Sequence, residues 1–135
     1  MTEEAAQQPE EQQPDDMGAQ VKNALGGFPG APEQVDIDAW KGQHGDVYVS
    51  ALSESEIFIF RSLNRLEYRE LQERAAQEQL DAMQYEDNTV KQCVLWSSVD
   101  DLSAKAGTIP TLLEMIMQNS NFVPPQIAAT LVAKL

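Results

Sequence analysis

The chain has 135 residues, 22 acidic and 9 basic, for a formal net charge of −13. That length suffices for one domain with a real core, and not for two. The charge disfavours nucleic acid and anionic membrane as partners, because both are held by lysines and arginines that neutralise phosphate.

The acidity is uneven. Residues 1–40 carry nine acids against Lys22 alone, a net of −8. Residues 1–34 are rich in Gln, Glu, Pro, Ala and Gly, and apolar side chains larger than alanine are few. Such a segment buries too little surface to offset ~1–2 kcal/mol of backbone entropy per residue. It therefore reads as a flexible acidic arm ahead of a compact domain over 35–135. Within the arm, Met17, Val21 and Leu25 fall at the i, i+4 spacing of a helical stripe, closed by Gly26-Gly27. That spacing fits a short recognition helix that orders on a partner, or a chance pattern in a linker. The first residues lack the basic and apolar regions of a signal peptide, and no apolar run approaches the ~20 residues of a membrane span. The single cysteine, Cys93, allows no internal disulfide. A chain kept in a reducing cytosol is the expectation.

Ile37 to Trp40 reads as a short helical turn or extended lead-in. Asp46 to Phe60 reads as a β-hairpin, with Val47, Val49 and Ala51 alternating and a turn at Leu52-Ser-Glu-Ser55. Its second strand, Glu56-Ile-Phe-Ile-Phe60, holds four large apolar residues in a row. Both of its faces are therefore covered, or one face awaits a partner. Asn64 followed by Glu67 is a capping-box pattern, with Leu63 and Tyr68 at the staple positions. It predicts a helix from Arg65 to about Met83, with Leu71, Ala75 and Ala82 inward. A second helix is expected from Glu86 or Asp87, with Val90, Cys93 and Val94 on one face. Ser97-Ser98 ends it or caps a short helix through Ala106, closed by Gly107 as a C′ residue. Pro110 suits the first turn of another helix, on which Leu112, Leu113, Ile116 and Met117 form an apolar face. Asn119-Ser-Asn121 breaks that helix. Pro124-Pro125 start a last one, with Ile127, Leu131 and Leu135 in line. The fold class is α+β: a mainly helical small domain of about four helices with one N-terminal β-hairpin, preceded by the acidic arm.

The chemistry-bearing residues are few. His44 is the only histidine and lies in a Gly42-Gln-His-Gly45 turn with no nucleophile elbow beside it. Cys93 sits on an apolar helix face, where a structural thiol is the rule. One His and one Cys cannot build a usual zinc site, and the pairs Glu86-Asp87 and Asp100-Asp101 are not spaced as a calcium loop. They read as helix N-terminal charge instead. No phosphate-binding glycine fingerprint is present. The expectation is a protein without enzymatic activity, cofactor or metal. Surfaces remain: the stripe Arg61, Arg65, Arg69, the apolar Phe58 and Phe60, Trp40, and the Met17, Val21, Leu25 stripe are the candidate protein contacts.

Four segments then align in order: W-K-x-x-x-G-x-V-Y from Trp40, F-R-x-L-x-R-x-E-Y from Phe60, Cys93-Val-Leu95, and A-G-x-I-P from Ala106 ahead of Ser120-Asn-Phe122. This pattern resembles small proteins of tailed-bacteriophage structural gene clusters, described as tail assembly chaperones or baseplate and tail components. The resemblance covers about 40–122 and departs at Trp96-Ser97, where the pattern has proline after the aromatic or leucine. It implies a non-enzymatic morphogenesis protein in the host cytoplasm or the virion. Its partners would be other phage structural proteins, with a homo-oligomer in the assembly compatible. The competing expectation is an acidic cytosolic adaptor or nucleic-acid mimic that binds a basic host or viral protein.

Overall fold

A computed structural model describes residues 14–135. The fold is α+β. In chain order the elements are α1 (Pro14–Gly26), α2 (Gln34–His44), β1 (Val47–Ser53), β2 (Glu56–Arg61), α3 (Arg65–Gln77), α4 (Ala82–Cys93), β3 (Val94–Ser97), α5 (Thr108–Asn119) and α6 (Pro125–Thr130). Among the described residues there are thus six helices rather than about four. Two of them precede the hairpin, and a third strand extends it. The sheet is antiparallel throughout, in the order β1-β2-β3.

β2 sits in the middle, and its alternation decides the layers. Phe58 and Phe60 point to one face, opposite Ser50 and Tyr48 on β1. Both are buried, and they pack with Leu71 of α3, Val90 and Cys93 of α4, and Ile109, Leu112 and Ile116 of α5. Tyr48 stacks on Phe60 with ring centroids 5.5 Å apart. Ile57 and Ile59 point to the other face, at 0% and 1% exposure. That face pairs Val49 with Ile59 and Ile59 with Trp96. Helices α1 and α2 pack against β1, and Phe28, just beyond α1, meets Trp96 edge-on at 5.9 Å. The sheet therefore carries helices against both of its faces.

The run of four apolar residues is thus satisfied within the chain. Part of the segment expected to be a flexible arm supplies the second cover. Val21 and Leu25 of α1 are half-buried, whereas Met17 stays 47% exposed. This segment looks too polar to fold alone. Its described part, from Pro14 on, is helical where an apolar sheet face meets its few large side chains. Residues 1–13 lie outside the described residues.

The remaining elements obey local chemistry. The Asn64 capping box forms: Glu67 N–H donates to Asn64 Oδ1 at 2.8 Å, and Asn64 N–H to Glu67 Oε1 at 3.1 Å. Helix α3 stops at Gln77 instead of running to Met83. Gln79 takes φ 54°, and Leu80 N–H reaches back to the Ala75 carbonyl at 3.0 Å, a left-handed closure made with Gln in place of the usual Gly. A second capping box, Asp81 with Gln84, then starts α4 four or more residues before the expected point. Glu86 and Asp87 consequently lie inside α4, not at its N-terminus. Val94 to Ser97 is strand rather than helix, because the free edge of β2 offers this apolar run a ladder. Residues 98–107 form turns and bends, and Gly107 is the N-cap of α5 rather than a C′ residue. His44 is the last residue of α2, which ends as Gly45 takes φ 85°.

Because Phe58 has no exposure, Phe58→Ala is expected to cost about 3–5 kcal/mol. Asn64→Ala is expected to cost about 1 kcal/mol. Urea unfolding midpoints with an unchanged m-value check both.

Candidate protein-interaction surface

At the C-terminal end of α5 the chain makes a complete left-handed closure. Asn121 takes φ 69°, its N–H donates to the Gln118 carbonyl at 3.1 Å, and Phe122 N–H donates to the Met117 carbonyl at 3.0 Å. Asparagine tolerates this backbone region better than most side chains. Ser120 fixes the closure to the rest of the molecule. Its hydroxyl donates to the Ile116 carbonyl at 2.6 Å and accepts the Leu63 N–H at 2.8 Å. The chain beyond Asn121 is thereby aimed across the start of α3. Phe122 comes to rest against Tyr68 with ring centroids 5.0 Å apart. The Arg65 guanidinium lies over the Tyr68 ring, 5.7 Å from its centroid. Leu63, Asn64, Arg65, Tyr68, Ser120, Asn121 and Phe122 line a shallow cavity of about 230 Å³.

Beyond this anchor the chain is apolar and open. Phe122, Val123, Ile127, Leu131, Val132 and Leu135 are all exposed large hydrophobic residues, more than half of those found among the described residues. Pro124 caps α6 and Pro125 begins it. Six helical residues then present Ile127, 47% exposed, and the helix ends at Thr130, short of the expected Leu131 and Leu135; Leu131, at its C-cap, is 71% exposed. No acid occurs after Glu114. An acid-free apolar segment beside Tyr, Phe and Arg has the composition of a protein-contact core.

The sequence-derived candidates are distributed widely. Arg65 and Arg69 are exposed on α3, and Arg65 belongs to this surface. Arg61 does not share their stripe. It ends β2, is 8% exposed, and pairs with Glu67 at 2.9 Å while also reaching the Gln92 carbonyl at 3.3 Å. Phe58 and Phe60 are occupied by this chain's own core. Trp40 is half-buried on α2, and Met17, Val21 and Leu25 lie on α1. Sequence spacing does not single out Tyr68 and Phe122 as contacts. Asn121 is the available signal, because a break there redirects the aromatic after it.

Cys93 is fully buried, and that burial pushes its thiol up to about 11. Burial also pushes the Glu67 carboxyl up. The hydrogen bonds from Arg61 and Asn64 and the Arg61 charge outweigh it, so the net shift is down from 4.5. Among the described residues no group of three or more His, Cys, Asp and Glu side chains is placed to hold a metal ion. No helix there is long and apolar enough to cross a membrane.

No family model, curated protein or solved structure matches this chain.

Glu67→Gln leaves the Arg61 charge buried with only carbonyl partners, and is expected to cost about 2 kcal/mol at pH 7. Because the folded Glu67 pKa is lowered, its contribution is present above 4.5 and is lost as pH falls through the lowered folded value. Urea midpoints of wild type and variant should therefore converge in acid. The Cys93 thiol should react with a disulfide reagent only as fast as the chain opens, and promptly in denaturant.

Proposed function

We propose that this chain is a non-enzymatic bacteriophage morphogenesis protein that binds tail or baseplate proteins through the surface running from Tyr68 to Leu135. One observation supports the binding mode above the others. Six large apolar side chains from Phe122 to Leu135 are exposed and acid-free on a chain of net charge −13. A segment of that kind gains most by burial against another protein. The phage assignment rests on the resemblance of residues 40–122.

Two roles fit: a component that remains in the virion, and a chaperone that leaves. Mass spectrometry of purified particles against infected-cell lysate separates them. Fixed stoichiometry in particles makes it a component, and lysate alone makes it a chaperone. Absence from both removes the phage reading. The surface is tested by Ile127→Glu with Leu131→Glu. Both side chains are exposed, so stability should change by about 0.5 kcal/mol or less. Co-purification with tail proteins should be lost, and unchanged co-purification would exclude this surface.

The charge of residues 1–40 supports the second reading, an acidic adaptor or nucleic-acid mimic for a basic protein. Converting Glu3, Glu4, Glu10 and Glu11 to Gln leaves α1 untouched. Under the adaptor reading it abolishes binding, and under the morphogenesis reading it does not.

A further inference from the structure

The outer helical layer does not close over the sheet. Helices α1 and α2 leave a cleft of about 480 Å³, inside the range of ~300–1,000 Å³ typical of ligand sites. Leu25 and Ile37 line it from the two helices, and Val49 and Ile59 line it from the sheet. Two exposed lysines, Lys22 on α1 and Lys41 on α2, are also in the lining. The ion pairs found among the described residues use Arg61, Arg74 and Lys105 instead. Near Lys41, α2 also carries Asp36 and Asp38, whose carboxylates bond only to neutral donors at the start of their own helix. Asp36 accepts the Glu33 N–H at 3.0 Å, and Asp38 accepts from Gln34 Nε2 at 2.9 Å.

We propose that this cleft is a binding site for a peptide segment of a partner protein in which large apolar side chains are flanked by carboxylates. The apolar floor takes the side chains out of water. The two lysines favour flanking carboxylates, since a neutral peptide would gain the apolar burial alone and a cationic one would meet both ammonium groups. The rest of a chain with net charge −13 repels an acidic peptide, so the cleft confines it to one place. This site is separate from the Tyr68–Leu135 surface and does not depend on it.

The test uses the full chain and a short fluorescein-labelled peptide alternating Leu with Glu, read by anisotropy. The peptide should bind, and a matched peptide with Lys for Glu should bind at least about tenfold more weakly. Lys22→Glu with Lys41→Glu should weaken binding by about tenfold or more, and Lys22→Gln with Lys41→Gln by less. Both lysines are exposed, and circular dichroism checks that the variants keep the fold. Methyl NMR shifts should fall on Ile37, Val49 and Ile59. Ile127→Glu with Leu131→Glu should leave this binding unchanged, which separates failure here from failure of the C-terminal surface. No binding, equal binding of the Lys peptide, equal binding by the double charge reversal, or methyl shifts confined to residues 122–135 would each overturn the proposal.

Discussion

Four consecutive apolar side chains on the central strand, Ile57-Phe-Ile-Phe60, set the terms for everything else. Successive residues of a strand face opposite ways, so this run demands an apolar cover on both sides of the sheet. The inner cover is conventional: α4 and α5 bring Val90, Cys93, Leu112 and Ile116 against the two phenylalanines. The outer cover must come from what remains, and what remains is an acidic, glutamine-rich N-terminal segment. Its few large apolar residues reach the outer layer: Leu25 lines the cleft with Val49 and Ile59, and Phe28 meets Trp96. A strand buried on both faces also loses its usual register control. Sliding it by one residue exchanges isoleucine for phenylalanine and does not expose a polar face. Register is held instead by particular contacts. Tyr48 stacks on Phe60, the Ser98 hydroxyl accepts the Ile57 N–H and donates to the Ser55 carbonyl, and Arg61 is locked to Glu67.

The Arg61–Glu67 contact joins sheet and helix in one step. Glu67 is the same side chain that closes the capping box of α3, so one carboxylate starts the helix and neutralises the charge at the end of β2. Arg61 therefore cannot act as the first member of a surface stripe with Arg65 and Arg69. Spacing alone places the three together because it treats 61–69 as one helix. The actual junction at Ser62 to Asn64 turns the first arginine inward.

Sequence patterns are legible wherever a local rule and the tertiary fold agree. Asn64 with Glu67, Pro110 in a first turn, the break at Asn121 and the Pro124-Pro125 start all appear in the fold. They are illegible where one rule masks another. The Asp81–Gln84 capping box is as good a signal as Asn64–Glu67, but the apolar spacing of Leu71, Ala75 and Ala82 carries the expected helix across it. Gln79 ends α3 in a conformation that Gly or Asn would have advertised. Val94-Leu-Trp96 continues a helical stripe numerically, and only the open edge of β2, a long-range fact, makes it a strand. The candidate surface is half legible for the same reason. The helix start at Pro124-Pro125 is visible, but the last helix ends at Thr130, so Leu131 and Leu135 lie beyond it and not on the expected stripe, and the meeting of Tyr68 with Phe122 depends on Ser120 binding Leu63 across the fold.

Charge then limits where association can occur. Most of the molecule repels a second acidic surface, and salt screening within ~8 Å softens this without reversing it. Two places differ. The C-terminal segment after Glu114 offers apolar area without carboxylates to desolvate. The α1–α2 cleft offers apolar area with positive charge beside it. The two places lie on different elements. They differ in chemistry: one is an apolar segment free of acids, the other an apolar cleft with two lysines in its lining. A chain with two unlike apolar contacts is suited to join two neighbours rather than to pair with itself, since self-pairing through a two-fold axis needs one patch to match its own copy.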